Sequence, residues 1–221
     1  MEPPVSLHGC VLKHKPVGDY DWLVTLLTAE RGKLNAFARL ARKPGTRLCG
    51  NTEPLSFGTF ELYPGKSAYV LHAVKIDHFF ETFRRDLEKA AYGSLFLEIA
   101  DYYTRENIEA SQLLNLLYVS LVALKEARKE HPNALIRCVY ELRAMVTEGL
   151  FPGADAVREK SASLDRALSH IETAPLQTLF SFTLREDVLR ELAEITLRYR
   201  NMVMDRHLKS LDMIELYEGG E

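Results

Sequence analysis

Two periodicities divide the chain. Up to about residue 80, apolar and polar positions alternate at period two in short runs. The clearest is Leu34-Asn35-Ala36-Phe37-Ala38-Arg39-Leu40. Alternation of this kind predicts a strand buried on one face, with Leu34, Ala36, Ala38 and Leu40 inward and Lys33, Asn35, Phe37, Arg39 and Lys43 outward. Val5–His14, Trp22–Thr28, Leu55–Tyr63 and Ala68–Ile76 are further runs rich in β-branched, aromatic and leucine residues. Turn formers separate them: Pro16-Val17-Gly18-Asp19, Glu30-Arg31-Gly32-Lys33, Pro44-Gly45 and Pro64-Gly65. Five short strands with no long helix between them predict a small closed barrel, because closure removes the exposed edges of an open sheet.

Beyond residue 81 the spacing becomes helical. Leu87–Tyr103 carries an apolar stripe of Leu87, Ala91, Leu95, Leu97, Ile99 and Tyr102. Glu109–Glu130 repeats it with Leu113, Leu116, Leu117, Leu121 and Leu124, and Asn133–Glu148 with Leu135, Val139, Leu142 and Met145. Pro132 precedes this third helix and Gly149 follows it, as expected at the two ends. Phe151–Ser161 reads as a loop. Leu164–Ile171 and Arg185–Arg206 read as two more helices, the latter opened by a capping box, Thr183-Leu184-Arg185-Glu186. The fold class is therefore α+β, with a barrel over 1–80 and an all-helical domain over 81–221.

Charge sharpens this division. The 221 residues carry a net charge of −3. Residues 1–80 hold ten Lys/Arg against seven Asp/Glu, and residues 9–50 hold eight against three. A basic patch on an acidic protein points to a polyanion for that patch, the alternative being a merely solvated surface. No apolar run of 18 residues suggests a membrane span, and the N-terminus lacks the pattern of a signal peptide. Three scattered cysteines, Cys10, Cys49 and Cys138, give neither a disulfide framework nor a four-cysteine zinc site. The expected setting is a reducing cytoplasm.

Catalytic signatures are missing. The chain has no phosphate-binding G-x-x-x-x-G-K-[ST], no G-x-G-x-x-G after a strand and no G-x-S-x-G elbow. Its seven histidines show no H-x-x-x-H spacing. Asp19 and Asp21 flank a turn, where a structural role is the simpler reading. No enzyme, cofactor or metal is expected. The residues that suggest chemistry are the cations and one ring of the strand region: Lys13, Lys15, Arg31, Lys33, Phe37, Arg39, Arg42, Lys43 and Arg47. Cations neutralise phosphates and an aromatic ring stacks on a base, which is how a small barrel holds a single strand without reading sequence. Packing of Phe37 beneath the helices would be the plain alternative. In the helical half, Lys125, Arg128, Arg137 and Arg143 lie beside apolar stripes, where they would edge a groove for an acidic-apolar peptide or simply face solvent.

Several segments in order resemble the RecO family of DNA repair proteins. They are Gly9-Cys10-Val11-Leu12-Lys13, Asp19-Tyr20-Asp21, Val24–Lys33, Ala38-Arg39-Leu40-Ala41-Arg42-Lys43 and Phe57–Tyr63. Ala91-Tyr92-Gly93, Glu98-Ile99-Ala100-Asp101, Leu113–Leu117, Leu179-Phe180-Ser181-Phe182 and Lys209-Ser210-Leu211 continue the likeness. The resemblance implies an OB-fold followed by a helical domain, and a protein working at the nucleoid. It implies binding of single- and double-stranded DNA, strand annealing, and recombinase loading with RecR and the C-terminal tail of single-strand-binding protein. It implies no nucleotide hydrolysis. Two departures stand out. Leu40 occupies a place where the family often has glycine, and no cysteine follows Phe151-Pro152, where many members begin a four-cysteine zinc module. A shortened loop-helix segment without zinc is expected there. The rival expectations are an adaptor that uses the basic loop for an acidic partner, and a metal-dependent nuclease relying on Asp19 and Asp21.

Overall fold

The computed structural model describes residues 3–158 and 160–218. The chain packs as two compact units. One comprises the residues up to Glu81 together with Ala100–Leu114, and the other comprises Thr82–Ile99 together with the chain from Asn115 onward.

The first unit is a closed five-stranded barrel of order β1-β2-β3-β5-β4. Its strands are β1 Val5–Val17, β2 Asp21–Thr28, β3 Gly32–Ala38, β4 Ser56–Tyr63 and β5 Tyr69–Phe79. This is the strand order of an OB-fold. All pairings are antiparallel except β3 with β5, which closes the barrel through Ala36 beside Tyr69 and Phe37 beside Val70. The interior is filled by Leu7, Val11, Val24, Leu26, Leu34, Ala36, Ala38, Phe60, Leu62 and Leu71, with Ala41 and Leu48 reaching in from the β3–β4 loop. The alternation expected along β3 holds for Leu34, Ala36 and Ala38. It fails at Leu40, which is 48% exposed rather than inward. The strand stops at Ala38, and Leu40 takes φ +57°, the left-handed conformation that turns its side chain out of the alternation.

A segment of the helical half of the sequence belongs to the barrel unit. Ala100–Leu114 lies along the β2–β3 turn through Lys33 N–H to the Arg105 carbonyl, Asn107 N–H to that of Arg31 and Ala110 N–H to that of Ala29. Gly32 makes this approach possible. It has φ +61°, and a Cβ there would sit 2.3 Å from the carbonyl oxygens of both Arg105 and Ile108.

The second unit is helical, completing the α+β architecture. Its elements are α1 Leu87–Tyr103 and α2 Ser111–Lys125 (the last turn of α1 and the first of α2 belong to the barrel unit), α3 Asn133–Thr147, α4 Ala162–Thr173, α5 Glu186–Val203 and α6 Lys209–Glu218. Helix α3 is its centre, with Leu135, Ile136, Cys138, Val139, Tyr140, Leu142, Ala144 and Met145 buried. The Tyr140 hydroxyl donates to the Phe96 carbonyl at 2.9 Å, and the two rings lie 4.3 Å apart. Glu141 is buried on α3 and held by Arg200 of α5 at 3.1 Å and by Arg137 at 3.7 Å. The attraction within such a buried triad is largely offset by the cost of desolvating its charges.

Three expectations change here. Helix α1 is buried on most sides, not along one stripe, and Leu87 is exposed. Helix α5 begins after Arg185, so Thr183 does not cap it, and Arg185 at the N-cap makes no side-chain capping hydrogen bond. Helix α6 was not foreseen. Among the described residues around it, Leu208, Ser210 and Ile214 are the buried ones, too few for a visible stripe.

The left-handed backbone at residue 40 reverses the usual order of alanine and glycine. Substituting Leu40 with either residue removes nearly the same side chain, but only glycine relieves the conformation. Leu40→Gly is expected to exceed Leu40→Ala in stability by about 1 kcal/mol, or roughly 2–4 °C in melting temperature. A thermal melt in which the alanine variant is the more stable would contradict the conformation.

Candidate nucleic-acid interface

Strand register builds a row of side chains across the outside of the barrel. Lys15 of β1 lies opposite Leu23 of β2, which lies opposite Phe37 of β3. Phe37 lies beside Val70 of β5, and Val70 opposite Tyr63 of β4. The neighbours of these residues along their strands, Val24, Ala36, Ala38, Leu71 and Leu62, fill the interior, so alternation directs the row outward. Leu23, Phe37, Val70 and Tyr63 are each half-buried, and Lys15 is exposed. His72 meets the Tyr63 ring edge-on at 5.3 Å. Leu23 and Phe37, its β2 and β3 members, lie on the face where OB-folds take oligonucleotides, which the β1–β2 and β4–β5 loops flank.

The predicted residues divide into three groups. Lys15 and Phe37 stand in the row. Arg39, Arg42, Lys43 and Arg47 are exposed together in the β3–β4 loop, residues 39–55. That loop is a chain of hydrogen-bonded turns rather than a loose strap: Lys43 N–H donates to the Leu40 carbonyl, Cys49 N–H to that of Thr46 and Asn51 N–H to that of Leu48. It is tied to the β1–β2 turn by Leu40 N–H to Asp21 Oδ1 at 2.8 Å and Arg42 N–H to the Tyr20 carbonyl at 2.9 Å. Asp21 therefore acts in the turn. The Arg42 guanidinium lies 5.1 Å from the Trp22 ring and donates to the Gly18 carbonyl. His14 stacks on the same indole at 4.0 Å.

The third group has structural partners. Lys13 Nζ reaches Asp101 Oδ2 at 2.8 Å, while Lys33 Nζ donates to the Asp101 carbonyl at 2.6 Å and lies 3.2 Å from Oδ1. Asp101 is buried, so these lysines neutralise a carboxylate that water does not reach. Arg31 donates to the Tyr69 hydroxyl at 2.6 Å. In the second unit, Arg143 donates to the carbonyls of Ile171 and Glu172 at the end of α4, and Arg137 is paired with Glu141. Lys125 and Arg128 are exposed, Arg128 beside Glu130.

Another basic pocket, of about 460 Å³, lies between α4 and the segment leading into α5. Arg166, His170 and Arg185 surround a floor of Ala167, Phe182, Leu184 and Val188. Arg185 is paired with Asp187 at 3.1 Å. Sequence reading passed over this pocket because its residues come from separate elements. It passed over Leu23, Tyr63 and Val70 because strand register decides which residues share a row.

No group of three or more His, Cys, Asp or Glu side chains among the described residues could hold a metal ion. No helix among them is long and apolar enough to cross a membrane. Burial pushes the thiols of Cys10 and Cys138 up, the latter to about 11, so neither is a thiolate nucleophile near neutral pH.

Comparison with known proteins agrees with this architecture. Residues 1–80 match the model of the recombination protein O N-terminal domain, and residues 84–156 match that of its C-terminal domain. The chain belongs to the RecO family. A DNA repair protein RecO of Acetivibrio thermocellus is 28% identical over 94% of both chains. Another, from Anaeromyxobacter dehalogenans strain 2CP-C, is 37% identical over 69% of this chain and 59% of its own length. A third, from Desulfosudis oleivorans, is 30% identical over 74% of this chain and 64% of its own. Family membership extends through α1, α2 and α3, while the model match ends at the Ala154–Ala156 turn.

Removing both lysines while leaving the buried Asp101 carboxylate is expected to cost about 3 kcal/mol or more, because the buried charge then loses both lysine partners. Lys13→Met/Lys33→Met in a urea titration measures this, and an unchanged midpoint would contradict the pairing. A thiol titration of the native protein at pH 8 is expected to modify Cys49 alone, with Cys10 and Cys138 reacting only after unfolding. Fast reaction of a second native thiol would contradict the burial.

Proposed function

We propose that this RecO-family chain is a non-enzymatic mediator of DNA repair and recombination. It binds single- and double-stranded DNA on the barrel, anneals complementary strands and assists recombinase loading with RecR and single-strand-binding protein. The observation that carries this reading is the outward row of Leu23, Phe37, Val70 and Tyr63, bordered by Lys15 and by the cations of the β3–β4 loop. The rings and apolar side chains give bases a platform, and the cations track the backbone. Two strands held on one protein meet at a raised local concentration, which accelerates pairing without a covalent step.

The partner reading is supported by the pocket beside α4. A pocket with an apolar floor and a rim of Arg166, His170 and Arg185 fits a short acidic peptide ending in an apolar residue. This is the chemistry expected of the single-strand-binding protein tail; Arg185 is exposed although paired with Asp187, whereas Arg137 and Arg143 are partly buried against their partners. Lys125 and Arg128 remain alternative contacts for that tail.

Fluorescence anisotropy with a labelled thymidylate oligomer tests the DNA reading. The double variant Arg39→Ala/Arg42→Ala should bind more weakly, with a salt slope shallower by roughly 1.4, as two phosphate contacts on a single strand require. Tyr63→Ala should weaken binding without changing that slope. Wild-type protein that leaves the oligomer unbound at low salt would favour the adaptor reading.

A further inference from the structure

Leu40 is disfavoured twice where it stands. It is a large apolar residue held 48% exposed, and it has the left-handed φ of +57° that glycine takes freely. Neither cost is repaid inside the barrel, whose nearby interior is filled by Ala38, Ala41 and Leu48. A strained and exposed side chain is grounds for asking what it meets.

Its surroundings answer that question. The hydrogen bonds from Leu40 N–H to Asp21 and from Arg42 N–H to the Tyr20 carbonyl fasten the β3–β4 loop to the β1–β2 turn. They bring to one end of the barrel a second large exposed apolar residue, Tyr20, at 52%. Arg39, Arg42 and Lys43 flank Leu40 in sequence and are exposed. The acids nearby are Asp19, which is exposed, and Asp21, whose Oδ1 already accepts from Leu40. Two exposed apolar residues on loops tied together, with exposed cations adjacent in sequence, fit a partner with apolar faces on an anionic chain, and a nucleic acid strand with unstacked bases is such a partner.

We propose that Leu40 and Tyr20 form an apolar tip that contacts nucleobases of a bound single strand, while the arginines and lysine around them hold its phosphates. This inference rests on the DNA-binding reading above and adds residues that make contact through base faces rather than charge. Because apolar contact releases no counterions, it contributes affinity without contributing salt dependence.

The test compares wild type, Leu40→Gly and Tyr20→Ala on two labelled oligomers of equal length, one of thymidylates and one wholly abasic. Leu40→Gly keeps the backbone conformation, and a thermal melt of each variant confirms that it is folded. Each variant is expected to bind the thymidylate strand at least about fivefold more weakly than wild type, the lower end of what one base contact contributes, with an unchanged salt slope. Binding of the abasic strand should be the same for all three proteins. If wild type binds and the variants bind thymidylate equally well, or lose affinity equally on both strands, the base contact is overturned. If wild type binds neither strand, the DNA-binding reading itself fails, and the tip falls with it.

Discussion

The barrel closes through two residue pairs. Ala36 beside Tyr69 and Phe37 beside Val70 are the register pairs of the parallel β3–β5 ladder, and without that ladder the sheet has two open edges. Closure fixes much else. It needs small residues inward on β3, hence Ala36 and Ala38, and it turns Phe37 and Val70 outward side by side. The row that continues from them to Leu23, Lys15 and Tyr63 exists only while those strands stay in register, because a slip of one residue would send each side chain to the other face. The proposed stacking surface therefore lies on the seam that completes the fold.

Cations on this barrel fall into two groups, separated by whether a buried carboxylate holds them. Lys13 and Lys33 neutralise the buried Asp101 and so hold Ala100–Leu114 against the β2–β3 turn, with Gly32 permitting the close approach. Arg39, Arg42, Lys43 and Arg47 are exposed on a loop stiffened by its own turns. The proposed contact with a strand at that loop would order little further backbone, because the turns are already hydrogen-bonded. Arg42 is held in place by Trp22 and the Gly18 carbonyl.

Period two along the first 80 residues was enough to reveal five strands and their inward faces, because a half-buried strand writes its geometry into neighbouring positions. Leu40 misled that reading: its polarity continues the alternation of β3, but a change of φ after Ala38 ends the strand. The structural role of Lys13 and Lys33 was hidden for another reason. Their carboxylate lies 88 and 68 residues away in sequence, and no local pattern signals a pairing at that range. Tyr63 and Val70 escaped notice because register, unlike alternation, is a property of two strands together. In the helical half, the α2 and α3 stripes were legible from their leucines. The pocket beside α4 was not, since its residues are assembled from α4 and the approach to α5.

The central claim is that a single strand lies across the outward row at the closing seam. Photo-cross-linking of a 5-iodouracil oligomer to the intact protein, with the modified residues located by mass spectrometry, tests it directly. Adducts on Phe37 and Tyr63 are the expected result. Adducts confined to helices α3, α4 and α5, with both rings unmodified, would contradict it.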